Sequence, residues 1–517
     1  MSTAPVKVAV AAANDLSASA GTRVAAEGGN AVDAALAAGL VTMVTEPGLV
    51  SLTSGGFLTV QPPSGAAPVT VDGWVEMPGR GLPAERFGGG TFEVDTAYGG
   101  QTTMTVGHGS VATWGSLRAF AVTHERFGNL PWREVVAPAI EVARRGFPMS
   151  QATHYYLEYV HEDIFGWHPD SHAALHDVNG RLLSRGANVV VPHLADSLEQ
   201  IAADVETFYT GDLAKTITAH LADHGGIVTD ADLAAYQAVE RPSLAVRQGD
   251  WRFATNPAPA IGGVCMAALL ALLDGRPVRG RWDDAELAHL VRVQRQVFGH
   301  GLGQLEDSDE RTRQARRVLA TALGSASTAH VSVVDDVGSA CAVTVSSGYS
   351  SGVLVPGTGI WLNNCLGEQE LVHSGVHSLR PGTRLTSNMA PTVGRCVRDG
   401  AVLAIGTPGS DRIATALAQV LALYVNGGLE LADAIASPRL HVRVRDGQDP
   451  PVRVDHEEDL RLPDGLGLPT LAMHPHAMYF GGVGAAVWSP ETGLTASGDP
   501  RRSGAVAVTG EIAGRSR

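Results

Sequence analysis

The chain has 517 residues and a formal net charge of −15, from 38 Lys and Arg against 53 Asp and Glu. With no basic run to offset that balance, a nucleic-acid or anionic-membrane partner is excluded, and no apolar stretch is long enough to span a bilayer. The length allows about three domains or one large sandwich. The four cysteines, Cys265, Cys341, Cys365 and Cys396, lack the close pairs of a zinc or redox motif and read as semi-buried thiols.

The N-terminal segment lacks the charged, then apolar, then cleavage-site order of a signal peptide, so a cytoplasmic location is expected. Residues 31–45 carry Val32, Leu36, Leu40 and Val44 at helical spacing, among Ala and Gly that permit close packing. A buried helix is predicted there. Residues 54–60 enter a strand, and the Gly/Pro-rich stretch 61–93 reads as a surface loop system. From 116 to 147 the patterns are helical, with a boundary at Leu130-Pro131. Thr229 followed by Asp232 has the form of a helix N-cap with an acidic first turn. The stretch from Trp282 to about Leu323 is helical and ends in small residues, 322–327, suited to a flexible, cleavable segment. Two strands, 331–335 and 341–346, follow around a turn at 335–338. Helical periodicity returns at 411–424 and 430–436, and no tandem repeat is present.

Thr328 opens this strand pair. A threonine hydroxyl hardly ionises at pH 7. It becomes a competent nucleophile at a chain N-terminus, where its own α-amine (pKa roughly 7.7–8.0) takes the proton. Thr328 is internal as translated, so the 327–328 bond has to break first. The bland alternative is a threonine that merely starts a strand.

A series of short motifs decides between the two. Glu27-Gly28-Gly29-Asn30-Ala31-Val32-Asp33-Ala34-Ala35 stands near the start, followed by Phe208-Tyr209-Thr210-Gly211 and Gly225-Gly226-Ile227-Val228-Thr229. Pro259 with Gly262-Gly263 comes next. After Thr328 come Leu362-Asn363-Asn364, Met389-Ala390-Pro391-Thr392, Thr407-Pro408-Gly409 and Asp499-Pro500-Arg501. In this order and spacing the chain resembles the γ-glutamyltransferase family of N-terminal-nucleophile hydrolases over nearly its whole length. The resemblance implies an α+β fold, the four-layered αββα sandwich. It also implies self-cleavage between Ser327 and Thr328, into a large chain 1–327 and a small chain 328–517 that stay associated. No metal or organic cofactor is implied. The implied partners are a small-molecule acyl donor and a water or amine acceptor.

The same resemblance assigns roles. Thr328 is the nucleophile and, through its α-amine, the base. Ser346 matches a family threonine that assists processing and orients the nucleophile. Gly409 and Ser410 match the two oxyanion-hole positions, with serine in place of the second glycine, a change that fits if the serine φ is negative. Substrate binding departs further. Val75 stands where members that hold glutamate carry an arginine for the α-carboxylate, and an apolar side chain cannot make that bidentate pair. Ser387 is kept, with Asn388 in place of a second serine. Glu368 keeps the charge of a family aspartate, Cys365 replaces a Gln or Glu, and Gly348 replaces an asparagine that contacts the freed amine. These changes leave two other readings open. One is a member recruited to natural-product biosynthesis, hydrolysing a carbon–carbon bond or a non-glutamyl acyl group. The other is an uncleaved binding protein.

Two further patterns carry less. Gly348-Tyr349-Ser350-Ser351-Gly352 fits a nucleophile elbow, but Pro356 follows where that motif needs a helix. His168, His172 and His176 have metal-ligand spacing on a helix, and Pro169 interrupts it. They read as surface or pocket-rim histidines.

Overall fold

Small side chains let two β-sheets lie face to face. In the computed structural model, which describes residues 5–63, 66–97, 102–299, 328–368, 375–444 and 451–510, thirteen strands build them. The first sheet uses β1 (Val8–Ala12), β2 (Gly55–Gln61), β3 (Val69–Gly73) and β4 (Val239–Pro242). The second sheet takes β5 (Leu244–Gln248) and β6 (Trp251–Thr255). The hairpin β7 (Ala329–Asp335) and β8 (Ala340–Ser346) belongs to the first, and β9 (Thr392–Cys396), β10 (Val402–Gly406), β11 (Gly484–Ser489) and β12 (Gly493–Ser497) to the second. β13 (Ala505–Val508) returns to the first. The spatial orders are β13-β1-β7-β8-β2-β3-β4 and β12-β11-β10-β9-β6-β5. Strands from before and after position 328 therefore interleave in the first sheet and adjoin as two blocks in the second.

Alternation along β7 and β8 sorts their side chains between two faces. Val331, Val333, Cys341, Val343 and Val345 join one apolar cluster with the helix Ala31–Thr45. Val334, Ala340 and Ala342 join a second cluster with Ala254, Val393, Val402, Ala404 and Ala486 of the other sheet. A third cluster packs the second sheet against the helices Ile261–Asp274, Asp284–Phe298 and Ile413–Leu421. The alanines and valines between the sheets are what permit the close approach.

The helix Ala31–Thr45 is buried on every side, as a helix apolar all round has to be. Asn30 caps it, accepting from the Val32 and Asp33 backbone N–H groups, and Asp33 completes a capping box. Thr229 and Asp232 form a second capping box at Asp230–Ala235. The helical stretch 116–147 is two helices, Ser116–Phe127 and Trp132–Arg145, broken at the expected proline. At 411–424 a 3-10 turn leads into the helix Ile413–Leu421, and a π-turn, Ala422–Asn426, follows. Two expectations change. The predicted helix from Trp282 is observed as Asp284–Phe298, and its continuation through 300–327 lies outside the described residues. The stretch 61–93 is not all surface loop: β3 is an inner strand of the first sheet, and Trp74, Val75 and Met77 after it are fully buried. Its prolines flank β3 and leave the ladder intact. Among the described residues no helix is long and apolar enough to cross a membrane.

Candidate active site

The parity of β7 carries back to Thr328. Ala329 pairs with Val345, so the next step along the hairpin sets Thr328 opposite Ser346, and both share the inter-sheet face with His330, Ser332 and Thr344. Thr328 is buried. It lines a small cavity of ≈ 40 Å³ together with Glu46, His330, Pro408, Val483 and Arg502. Ser327 lies outside the described residues.

His330 ties the floor of this site together. Its Nδ1 is 2.8 Å from Thr344 Oγ1 and its Nε2 is 2.7 Å from Ser332 Oγ, while Ser332 Oγ donates to the Gly484 carbonyl across the sheets at 3.0 Å. The single Ser332 proton is thereby committed, so His330 Nε2 is the donor to Ser332 and Nδ1 accepts from Thr344. Burial pushes the imidazole down to about 3, which keeps it neutral. Gly406 makes room for it: a Cβ there would lie 2.2 Å from the ring.

The remaining residues named from sequence gather around this point. Gly55 is the β2 partner of Ser346, and a Cβ on Gly55 would meet Val75 Cγ1 at 2.8 Å. Val75 therefore folds over the strand position next to Ser346. The 385–388 segment runs alongside, with Leu385 N–H donating to the Val75 carbonyl at 3.0 Å and Trp74 Nε1 to the Thr386 carbonyl at 2.8 Å. Ser387 and Asn388 follow at once. Asn388 Nδ2 is buried without a hydrogen bond among the described residues. The Ser387 carbonyl accepts from Ile261 and Gly262, and Gly262 lets that helix start seat on the Asn388 carbonyl, 1.8 Å from where a Cβ would be.

On the other flank, Gly348 N–H donates to Ser346 Oγ at 3.1 Å. Gly348 has φ +65°, and a side chain there would meet Asn364 Oδ1 at 2.3 Å and Glu368 Oε1 at 2.9 Å. Glu368 and Cys365 are buried, and burial, with Glu368 beside it, pushes the Cys365 thiol well up. The turn after β10 completes the ring. Thr407 Oγ1 donates to the Pro408 carbonyl and accepts from Gly482 N–H, at 2.6 and 2.9 Å. That pins Pro408 at the Thr328 cavity, with Gly409 and Ser410 directly after it.

The gamma-glutamyltranspeptidase family model matches residues 17–324 and 302–509 of this sequence. The chain belongs to the gamma-glutamyltranspeptidase family. Its relatives include the glutathione hydrolase proenzyme of Escherichia coli (strain K12), 28% identical over 466 residues that cover 81% of this chain and 78% of that one. The acylase ACY 1 proenzyme of Pseudomonas sp. (strain SE83) is 28% identical over 457 residues, 82% and 80% of the two chains. The fold is shared with the crystal structure of cephalosporin acylase from Bacillus halodurans, with a TM-score of 0.77 at 24% identity over 97% of this chain and 96% of that one. This gamma-glutamyltranspeptidase-family member is thus an enzyme of the hydrolase/transferase type.

In this family member, Ser410 departs from the sequence expectation. Its φ is +61°, not negative, and its Oγ is buried without a hydrogen bond among the described residues. A left-handed φ costs a residue with a Cβ about 1 kcal/mol or more. Ser410→Gly is therefore expected to raise stability by about 1 kcal/mol, read from the midpoint of urea unfolding. A lowered midpoint would contradict the strain.

Three features escaped the sequence reading. Arg502 and Glu46 line the cavity beside Thr328, and Arg502 Nε makes no hydrogen bond among the described residues. Arg502 directly follows the Asp499-Pro500-Arg501 motif, which was its only available signal. Asn364 fills the space a side chain at 348 would take, and nothing local in the sequence indicates that exchange. The elbow-like Gly348–Gly352 stretch leads into a short strand, Leu354–Val355, and not a helix.

Proposed function

We propose that the protein is a self-processing threonine-nucleophile hydrolase of acylase type. The observation that carries this reading is Thr328 at the start of β7, opposite Ser346 and lining one cavity with Pro408 of the Gly409-Ser410 turn. The facing sheets and their outer helices support a four-layered αββα sandwich, and the interleaved strands suit two chains, 1–327 and 328–517, that stay together after the cut.

Thr328 Oγ1 attacks the Ser327 carbonyl carbon. The C–N bond to Thr328 breaks as the ester forms, and water opens the ester to leave a Ser327 carboxylate and a free α-amine on Thr328. That amine then takes the hydroxyl proton in each turnover. Backbone N–H groups of Gly409 and Ser410 receive the oxyanion, worth about 3–4 kcal/mol per donor in known cases. Asn364 provides a carboxamide in the place that residue 348 leaves open.

The acyl pocket favours a donor without an amino-acid carboxylate. Val75 is apolar and fully buried. The arginines flanking it are committed elsewhere, Arg80 to Glu76 and Asp232 and Arg384 to Asp72 and Glu76. Glu368 keeps a negative group for an amine on the donor. The test is a panel of γ-glutamyl, glutaryl, aliphatic-acyl and oxo-acid donors. The expected result is a kcat/KM for the best aliphatic acyl amide at least tenfold above that for the γ-glutamyl amide. A γ-glutamyl preference would overturn this assignment, and turnover of the oxo-acid alone would move it to carbon–carbon hydrolysis.

A further inference from the structure

Away from Thr328, three histidines from two distant segments converge. His108 follows the strand Thr102–Val106, and His220 and His224 lie one turn apart at the end of the helix Asp212–Asp223. Each offers one ring nitrogen, and the three atoms lie within 4.8 Å of one another. His108 Nε2 and His220 Nε2 are 3.2 Å apart. Two ligand nitrogens around a tetrahedral metal, with bonds of about 2.0–2.1 Å, stand about 3.3 Å apart.

The surroundings suit ligation. His224 Nδ1 lies 2.8 Å from the His220 carbonyl. Donating there fixes the tautomer and frees Nε2, the usual arrangement of a metal-bound histidine. One proton shared between His108 and His220 satisfies only that pair, whereas a cation satisfies all three rings. A fourth ring stands close: His168, 7% exposed, has an Nδ1 with no hydrogen-bond partner among the described residues and a centroid 6.3 Å from His108 and 6.1 Å from His220. His224 is exposed and gives solvent access.

The histidines singled out by spacing behave differently. His176 uses both nitrogens, one toward His161 at 2.9 Å and one toward the His172 carbonyl at 2.9 Å. The helix Pro169–Leu175 begins after His168 and turns it away from that pair into the other cluster. The helix starts at Pro169, so the interruption read from the sequence separates His168 from His172 and His176, while His168 and His176 are buried and not at the surface.

We infer that His108, His220 and His224 form a site for a divalent first-row transition-metal ion, Zn²⁺ foremost, with water completing the shell. The ion would link two parts of the fold. Thr105 N–H donates to the Gly367 carbonyl and Leu366 N–H to the Ser110 carbonyl, at 3.0 and 3.1 Å, so His108 sits on the strap that holds the Glu368 loop. Bound metal would tie this strap to the helix Asp212–Asp223.

The experiment is calorimetric titration of untagged, chelator-treated protein with Zn²⁺, with Co²⁺ absorption as a readout of geometry. One equivalent of Zn²⁺ is expected to bind the native protein. His108→Ala and His224→Gln are each expected to weaken binding at least tenfold, and His176→Gln to leave it unchanged. His224 is exposed, so its variant folds whatever becomes of His108→Ala, and unfolding in chelator checks both. Absence of stoichiometric binding, or binding that survives His224→Gln, overturns the site.

Discussion

Thr328→Ala is expected to give one uncut chain of 517 residues and no turnover, while the native sequence gives two masses, beginning at Met1 and Thr328. The alanine keeps the Cβ and the strand. It removes the only atom that can form the ester with Ser327, and with it the later acyl-enzyme. Removing a nucleophile from a concerted set costs on the order of 10⁴–10⁶ in kcat, so residual activity should fall below detection. Thr328→Ser keeps an attacking oxygen and should still cut, more slowly. Ser346→Ala leaves the nucleophile in place and should slow cleavage without abolishing it. Intact mass over a time course separates these outcomes. A native chain that stays whole after long incubation would remove the nucleophile assignment and leave a binding protein.

Much of this site could be read in the sequence because its parts are local. The hairpin 331–346 alternates, and alternation puts Thr344 and Ser346 on one face; the pairing of Ala329 with Val345 adds Thr328 to it. Thr229 announces its helix through Asp232 three residues on. What could not be read depends on tertiary partners. β3 hides in a Gly/Pro-rich stretch because its alternating run, Val69-Thr70-Val71-Asp72, is short and lies between Pro68 and Pro78; its inner place follows only from its pairing in the sheet. The positive φ of Ser410 belongs to a turn packed against a distant residue, Gly481, whose Cα would lie 3.0 Å from a Cβ on Gly409. His108 and His220 are 112 residues apart, and only the i, i+4 spacing of His220 and His224 was visible. Val75 could be recognised as a lost arginine. That Arg80 and Arg384 do not take its place follows only from their ion pairs.

Asp499→Ala is expected to destabilise the fold by about 3–5 kcal/mol, the typical cost of stripping one partner from a buried ion pair. Asp499 is buried, and its carboxylate accepts from Arg439 Nη2 at 2.7 Å, Arg501 Nη1 at 3.1 Å and Val483 N–H at 2.8 Å. Glu457 completes the set, taking Arg501 Nε at 3.0 Å and Arg439 N–H at 2.9 Å. Two cations and two anions thus balance inside the second sheet's core, and removing one anion leaves a buried excess of positive charge. Val483 lines the Thr328 cavity, so the loss should also reach the site. Burial by itself would raise the Asp499 pKa, but Arg439, Arg501 and the backbone donors outweigh it and hold the carboxyl below its ordinary value. A depressed carboxyl contributes its full stability above the unfolded value of about 3.9, and loses it as pH falls through the folded value. The stability gap between the native residue and Asp499→Asn should therefore be constant from pH 7 to 5 and shrink only in acid below about pH 4. Urea unfolding in a Thr328→Ala background, where every variant is a single chain, measures both effects. A gap under 1 kcal/mol at pH 7 would mean that the four charges contribute little more than packing.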